Sequence, residues 1–160
     1  MTIILALAAD NNYINPMLVA VQSAVQSADK DTKYEFHLLL NEDISSSNLE
    51  KLECMRELHK QHDFVIHNLK DIYKDTVMRY RHITSAAYFR LQLPSLLEHA
   101  GKCIYLDCDV LVCQDLSELF CTDISEKYIA GVRAPRHYRT EKVIQEALLW
   151  LDIPSIDQYI

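Results

Sequence analysis

Hydrophobic residues follow one another almost without interruption at the start of the chain. Residues 2–9 are nearly all apolar and the run stops at Asp10, which is typical of a strand buried on both faces of a parallel sheet. A helix is predicted next, because Asn15 can serve as its N-cap and Pro16 suits the first helical position. Apolar residues then recur at helical spacing, at Met17, Ala20, Val21, Ala24, Val25 and Ala28.

The same alternation of strand and helix continues along the chain. Residues 34–40 and 64–67 are predicted strands, and the capping box formed by Ser47 and Glu50 opens a helix that runs toward His62. The later predicted elements are a helix from Thr84 to Leu93 that Pro94 interrupts and Gly101 ends, strands at 102–106 and 128–132, and a helix capped by Thr140. This order predicts an α/β fold with a mostly parallel sheet flanked by helices, which binds ligands beyond the carboxyl ends of its strands.

Composition narrows the classes of function. Two glycines and four prolines in 160 residues leave no flexible linker, so residues 1–160 are expected to form one domain. A formal charge of -7 disfavours nucleic acid as a partner, because phosphate backbones are bound through clustered cations. We expect no transmembrane segment, no secretion signal and a cytoplasmic location. Five cysteines without a C-x-x-C pair are expected to be reduced, mostly as apolar filling.

The triplet Asp107-Cys108-Asp109 directly follows the predicted strand 102–106. With 13 aspartates in the chain, about one D-x-D triplet is expected by chance, so the bare motif is weak evidence. A second copy, Asp29-Lys30-Asp31, lies among charged residues and is interpreted as solvated. On an extended segment Asp107 and Asp109 would point the same way, and their mutual repulsion favours a bound Mg²⁺ or Mn²⁺. The alternative is a strand-end turn with two solvated acids.

Three further groups of residues are candidates for a site. Ala8, Asp10, Asn12 and Tyr13 combine a small residue, an acid, an amide and an aromatic ring at the end of the first strand, which suits a base and ribose. The alternative is a loop that only caps the following helix. Arg90 could reach a phosphate oxygen, or form a surface salt bridge. His59 and His62 have the spacing of metal ligands, although a solvated helix face is the preferred interpretation.

Together these segments resemble glycosyltransferase family 8, the group that contains bacterial lipopolysaccharide galactosyl- and glucosyltransferases and glycogenin. The resemblance involves three motifs in the family's order, at residues 7–13, 82–94 and 104–112. It implies a GT-A (Rossmann-like) fold, a UDP-sugar donor, Mn²⁺ (or Mg²⁺) and retention of the anomeric configuration. The acceptor of the hexose, glucose or galactose, would be a glycan or lipopolysaccharide.

The resemblance also implies roles for individual residues. Ala8, Asp10, Asn12 and Tyr13 match the family's uridine-binding strand end, Arg90 matches its donor-contacting arginine, and Asp107 and Asp109 match its metal ligands. The whole triplet, Cys108 included, is expected to belong to the nucleotide-sugar site. The catalytic nucleophile is not given by the resemblance. Two departures are expected to matter, namely Val132-Arg133 where relatives place an acid, and an end at Ile160 that precedes the family's acceptor segments and metal-binding histidine.

Three expectations follow from this apparent truncation at the C-terminal side. The short chain would bind the donor but transfer sugar poorly, it would self-associate, and peripheral membrane association would belong to a longer protein. Two other functions stay open. One is a haloacid-dehalogenase-like phosphotransferase with Asp107 as nucleophile and Asp109 as acid, and the other is a nucleotide-binding remnant without catalysis.

Overall fold

The computed structural model describes residues 1–70 and 84–131. The chain divides into two compact units, Met1–Cys121 and Thr122–Ile160. The helices and strands of the first unit are β1 (Thr2–Ala9), α1 (Ile14–Gln26), β2 (Lys33–Asn41), α2 (Ser46–Leu58), β3 (Asp63–Leu69), a 3₁₀ helix (Ser85–Gln92), α3 (Leu93–Leu96), β4 (Ile104–Tyr105) and α4 (Ser117–Cys121). This order confirms the predicted α/β class.

Within the described residues the sheet has four strands in the order β3-β2-β1-β4, and every neighbouring pair is parallel. β1 pairs with β2 along its whole length, from Thr2 opposite Lys33 to Ala9 opposite Leu40. On its other side β1 pairs with β4. β1 is therefore an inner strand, which explains why its sequence is apolar at nearly every position.

Separate apolar clusters cover the two faces of the sheet. One face packs against α1 and α2, through strand residues such as Leu5, Leu7 and Phe36 and helix residues such as Met17 and Leu52. The other face packs against the 3₁₀ helix and α3. This second cluster contains Ala6, Leu39, Ala86, Phe89, Leu93 and Leu97. The two layers of helices confirm the prediction of a mostly parallel sheet flanked on both sides.

Both predicted helix caps are wrong by a few residues. α1 begins at Ile14 with Tyr13 in the N-cap position, because the carboxylate of Asp10 already receives the first loop amides. α2 begins at Ser46, and the Ser45 hydroxyl accepts a hydrogen bond from the Asn48 amide. The predicted box starting at Ser47 therefore lies inside the helix.

The second half of the chain departs further from the predicted elements. The expected helix from Thr84 is a 3₁₀ helix followed by the single turn α3, with Pro94 in its first turn. The strand predicted at 102–106 is reduced to Ile104–Tyr105. Residues 128–131 form no strand, and Tyr128 and Ile129 are exposed and pair with no strand among the described residues. Val132 and the helix predicted after Thr140 lie outside the described residues.

Two interpretations of side chains also need correction. His59 and His62 are buried instead of solvated, because His59 Nε2 bonds to Gln22 Oε1 at 2.8 Å and His62 Nδ1 accepts the Tyr34 amide at 3.0 Å. All five cysteines are free thiols, but only Cys108 is buried. No helix within residues 1–70 and 84–131 combines the length and apolar character needed to cross a bilayer.

Candidate functional site

The direction of chain progression through the sheet reverses between β1 and β4. From β1 the chain passes to β2 and β3 on one side, and then returns to place β4 on the other side of β1. Open parallel sheets bind ligands at such a switch point, in the crevice beyond the carboxyl ends of the two strands. Asp10 directly follows β1, and Asp107 lies two residues beyond β4. The fold therefore brings both predicted acidic segments to the expected position.

The triplet after β4 has two exposed carboxylates on either side of a buried thiol. Cys108 is 6% exposed, and its Sγ donates to the Ala8 carbonyl oxygen at 3.1 Å. Asp107 and Asp109 are exposed. The backbone turns at Cys108 and Asp109, so the extended geometry expected for this triplet is wrong. The contact between Cys108 and Ala8 nevertheless fixes the turn against β1 and leaves both aspartates facing solvent.

The electrostatics at Cys108 show how close the acidic groups are. Burial, together with the charges of Asp107, Asp109 and Asp10, raises the pKa of the Cys108 thiol to about 12, whereas the bond to Ala8 opposes the shift. Carboxylates from both strand ends therefore act on one sulfur atom. The thiol stays protonated at neutral pH, because its pKa lies far above that range.

Arg90 extends from the 3₁₀ helix to the end of β4. Its Nη2 donates to Asp107 Oδ1 at 2.8 Å, and its Nε donates to the Ala87 carbonyl oxygen at 2.7 Å. The guanidinium carbon lies 4.4 Å from the centre of the Tyr105 ring, within the range of a cation–π interaction. Three contacts therefore hold the Arg90 guanidinium beside Asp107, the first aspartate of the triplet.

The loop between β1 and α1 is ordered by Asp10. Its Oδ1 accepts the amides of Asn12 at 2.8 Å and Tyr13 at 3.2 Å, while the side chains of Asn12 and Tyr13 are exposed. The predicted capping role is therefore present, since one oxygen of Asp10 stabilises the loop. The same bonds leave an amide and an aromatic ring exposed at the strand end.

Contacts with α1 hold the segment that follows the triplet. The Val112 amide donates to Ser23 Oγ at 2.9 Å, and Ser27 Oγ donates to the Val112 carbonyl oxygen at 2.8 Å. Asp115 accepts the amide of Asp29 at 2.8 Å. Burial acts to raise the pKa of Asp115, but hydrogen bonds from Ser117, Asp29 and Thr32 lower it to about 2. These bonds fix the polypeptide on the far side of Asp109.

The donor atoms of the triplet suit a hard divalent cation. Mg²⁺ and Mn²⁺ prefer oxygen ligands and often use one or two carboxylates together with substrate phosphates. Asp107 and Asp109 offer such oxygens, while the softer sulfur of Cys108 is turned inward onto Ala8. Residues 1–70 and 84–131 contain no group of three or more His, Cys, Asp or Glu side chains that could hold an ion. Two carboxylates therefore need further ligands, which a diphosphate can supply.

The structure also adds residues that the sequence analysis missed. Tyr105 lies under Arg90, and the period-2 alternation of a strand could have revealed that it shares a face with Asp107. Asn48 contacts the strand-end loop from α2, and no sequence signal indicated this contact. Asp29 and Asp31 are exposed, as predicted for the second D-x-D triplet.

Comparisons with known proteins agree with this arrangement. General stress protein A of Bacillus subtilis (strain 168) is 42% identical over 65 residues, which cover 39% of this chain and 23% of that protein. Glycosyltransferase GlyF of Streptococcus pneumoniae serotype 4 is 27% identical over 128 residues, covering 80% of this chain and 31% of GlyF. The crystal structure of the galactosyltransferase LgtC with donor and acceptor sugar analogs has a TM-score of 0.64 and 30% identity.

This likeness to LgtC covers 77% of the chain and 43% of LgtC. The chain therefore spans less than half the length of each of these three relatives. The model of the family described as glycosyl transferase family 8 matches residues 4–150, which is most of the 160 residues. The strand order, the acidic groups at the switch point and this match agree, and the chain belongs to glycosyl transferase family 8.

Proposed function

We propose that this chain is the nucleotide-sugar-binding part of a retaining glycosyltransferase that uses a UDP-sugar donor. The observation that carries the proposal is the meeting of Asp10, Arg90, Asp107 and Asp109 at the switch point between β1 and β4. An anionic, bipartite donor needs polar contacts for its nucleoside and charge compensation for its diphosphate. The β1 end supplies the first kind of contact, and the β4 end supplies the second.

Each residue has a role in this proposal. Asp10, Asn12 and Tyr13 contact the nucleoside, with Ala8 leaving room for close approach. Asp107 and Asp109 hold Mn²⁺ or Mg²⁺, which when bound supplies Lewis-acid stabilisation of the charge on the departing UDP. Arg90 moves its guanidinium from Asp107 to a phosphate group of the donor, since a carboxylate and a phosphate can each accept two hydrogen bonds from a guanidinium.

The finer parts of the reaction are also proposals. The transferred sugar is a hexose, glucose or galactose, and the acceptor is a glycan or lipopolysaccharide. Support comes from family membership and from LgtC, a galactosyltransferase studied with donor and acceptor sugar analogs. Because the chain spans less than half of LgtC, we assign it the donor half of the reaction only.

The phosphotransferase alternative is not favoured. Its nucleophile would be Asp107, but Asp107 Oδ1 accepts a hydrogen bond from Arg90, which reduces the nucleophilicity of a carboxylate. Membership of a glycosyltransferase family also argues against it. The second alternative is a chain that binds the nucleotide without catalysis. It differs from our proposal only in having no turnover of the sugar donor, so an activity assay distinguishes the two.

Calorimetry with UDP, with and without Mn²⁺, tests the proposal directly. We expect UDP to bind several-fold to a hundredfold more tightly with Mn²⁺ than in excess chelator, because the carboxylates otherwise repel the diphosphate. ADP serves as the matched control for the base, and a generic aryl phosphate tests for phosphatase activity. Equal UDP affinity in Mn²⁺ and in chelator would contradict the metal bridge, and phosphatase turnover would favour the alternative enzyme.

Turnover is measured separately as hydrolysis of UDP-glucose and UDP-galactose. A donor preference in this assay would identify the hexose, because the acceptor is replaced by water. Binding without any hydrolysis would support the non-catalytic alternative.

A further inference from the structure

Asn48 places a buried amide beside the loop that carries Asp10, Asn12 and Tyr13. Its side chain lies in the first turn of α2 and the residue is 8% exposed. Nδ2 donates to the carbonyl oxygen of Asn11 and to Asn11 Oδ1, both at 2.9 Å. Oδ1 accepts from Lys51 Nζ at 3.0 Å. Both amide hydrogens and the amide oxygen are therefore used, as a buried amide requires.

Asn11 also receives a hydrogen bond from the residue that caps α2. Its Oδ1 accepts the backbone amide of Ser45 at 2.9 Å, in addition to the bond from Asn48. Three hydrogen bonds thus connect this one loop residue to the start of a helix that lies more than 30 residues away. The side chain of Asn11 points to α2, which separates its role from those of its neighbours Asp10 and Asn12.

A fixed loop matters for ligand affinity. The amides of Asn12 and Tyr13 are held by Asp10 from within the loop, and Asn48 holds the loop from outside through Asn11. Ordering a flexible backbone costs free energy for each residue, and a loop that is already ordered avoids this cost when the ligand binds. The two sets of bonds hold the same short segment in one conformation.

We propose that Asn48 is a positioning residue of the nucleotide site, which acts through Asn11 and makes no contact with the ligand. The inference rests on the proposed function, because it takes the loop from Asp10 to Tyr13 as the nucleoside contact. It goes further by assigning the shape of this loop to α2, an element without any predicted site residue.

The test compares UDP affinity in the presence of Mn²⁺ between the wild-type chain and Asn48→Ala. We expect about tenfold weaker binding, the size of effect that follows when hydrogen bonds to a buried amide are lost. Asn11→Ala should weaken UDP binding to a similar extent. The double variant should lose no more affinity than the more affected single variant, because both changes remove the same anchor. If the alanine variant fails to fold, Asn48→Asp is used, since it is isosteric and keeps the acceptor for Lys51 while losing both donated bonds.

Gln22→Ala is the matched control. Gln22 Oε1 in α1 bonds to the buried His59, which follows α2 at the end opposite Asn48, so this variant removes a part-buried hydrogen bond of α2 that does not involve the loop. We expect a comparable fall in Tm with unchanged UDP affinity. Equal weakening of UDP binding by Gln22→Ala would show a general loss of stability, and would overturn the proposal.

A readout without ligand separates this inference from the proposed function. Backbone amide exchange at Asn12 and Tyr13 should accelerate in Asn48→Ala, while exchange at Leu5 and Leu7 in β1 stays at the wild-type rate. Unchanged exchange and unchanged affinity would overturn the positioning role. If the wild-type chain does not bind UDP, the proposed function is wrong. Faster loop exchange in Asn48→Ala would still show in that case that Asn48 anchors the loop.

Discussion

Arg90 and Asp107 form an ion pair at the centre of the proposed site, with Nη2 2.8 Å from Oδ1. The side chains are 40% and 55% exposed, so solvent screens the pair and its contribution to stability is at most about 1 kcal/mol. Its importance lies in competition. In the proposed site a divalent cation would bind the same carboxylate, so the guanidinium and the cation compete for it.

The first prediction is that Arg90→Ala has opposite effects on two ligands. Mn²⁺ alone should bind more tightly to the variant, because the competing guanidinium is gone. UDP with Mn²⁺ should bind about tenfold more weakly, because a charge-assisted hydrogen bond to phosphate is lost. Titration of Mn²⁺ with and without UDP measures both effects, and weaker binding of Mn²⁺ alone would contradict the competition.

The second prediction concerns the metal dependence of UDP binding. In the variant that combines Asp107→Asn and Asp109→Asn, UDP should bind equally well in Mn²⁺ and in chelator, because the carboxylate ligands are replaced by neutral amides. Isothermal titration calorimetry provides the comparison. The other D-x-D triplet supplies the control, since replacing Asp29 and Asp31 by Asn should leave the metal effect unchanged. If UDP binding by the Asp107→Asn, Asp109→Asn variant still depends on Mn²⁺, the ion has other ligands.

The third prediction separates the two ends of the site. Asp10→Asn retains an oxygen for the amides of Asn12 and Tyr13 but removes the negative charge. It should weaken uridine and UDP by the same factor, whereas Arg90→Ala should leave uridine binding unchanged because uridine has no phosphate. Fluorescence or calorimetric titration with both ligands gives the two ratios. Loss of uridine binding in Arg90→Ala would contradict the assignment of roles.

The sequence predicted the sheet better than the helices that surround it. Every strand up to β3 was placed within two residues, and β1 matched at both ends, because burial on two faces produces an uninterrupted apolar run. β4 was overestimated, since residues 102–106 have the composition of a strand but only Ile104 and Tyr105 pair with β1. Pairing depends on the neighbouring strand, which local composition does not encode.

Contacts between elements were outside the reach of sequence reasoning. The bond of Arg90 to Asp107 requires the 3₁₀ helix to pack on the correct face of the sheet, and the two residues are 17 positions apart. His59 and His62 were expected on a solvated face because the pair lacks the nearby carboxylate of an H-E-x-x-H metal motif. Their burial depends on partners in other elements, Gln22 in α1 and Tyr34 in β2.

The fourth prediction is a loss of stability in mild acid through His62. Burial lowers the pKa of His62 below its ordinary 6.5, assisted by the charges of His59 and Lys33. Folding therefore favours the neutral ring, whose Nδ1 accepts the Tyr34 amide. This stabilisation is complete above about pH 6.5 and is lost as the pH falls through the lowered pKa in the folded state.

Urea denaturation at pH 7.5 and pH 5 measures this effect. His62→Asn retains an acceptor atom near the Tyr34 amide but cannot titrate, so the free energy of unfolding should depend less on pH in this variant. His67, whose pKa is also lowered by burial and by the charge of His37, should retain its share of the dependence. An unchanged pH profile in His62→Asn would contradict the prediction.

The fifth prediction concerns the reactivity of the cysteines. At pH 8 a thiol with the pKa of Cys108, about 12, has roughly a thousandfold less thiolate than one with the ordinary value of 9.0, and the thiolate is the nucleophile. Cys54 and Cys113 are exposed and should react with iodoacetamide in the folded protein, whereas Cys108 should react only after unfolding. Mass spectrometry of peptides at increasing reaction times tests the order.

The bond between Cys108 and Ala8 joins positions that are 100 residues apart, and this distance along the chain sets an order of assembly. Closing a loop of that length costs about 4 kcal/mol of chain entropy, whereas β1 with β2 and β2 with β3 pair residues only roughly 30 positions apart. Short loops close first, since contacts that are distant in sequence form slowly. We expect β1, β2 and β3 to assemble before β4 is added, so a partly folded chain has most of its sheet but not the crevice between β1 and β4 in which we propose that the nucleotide binds.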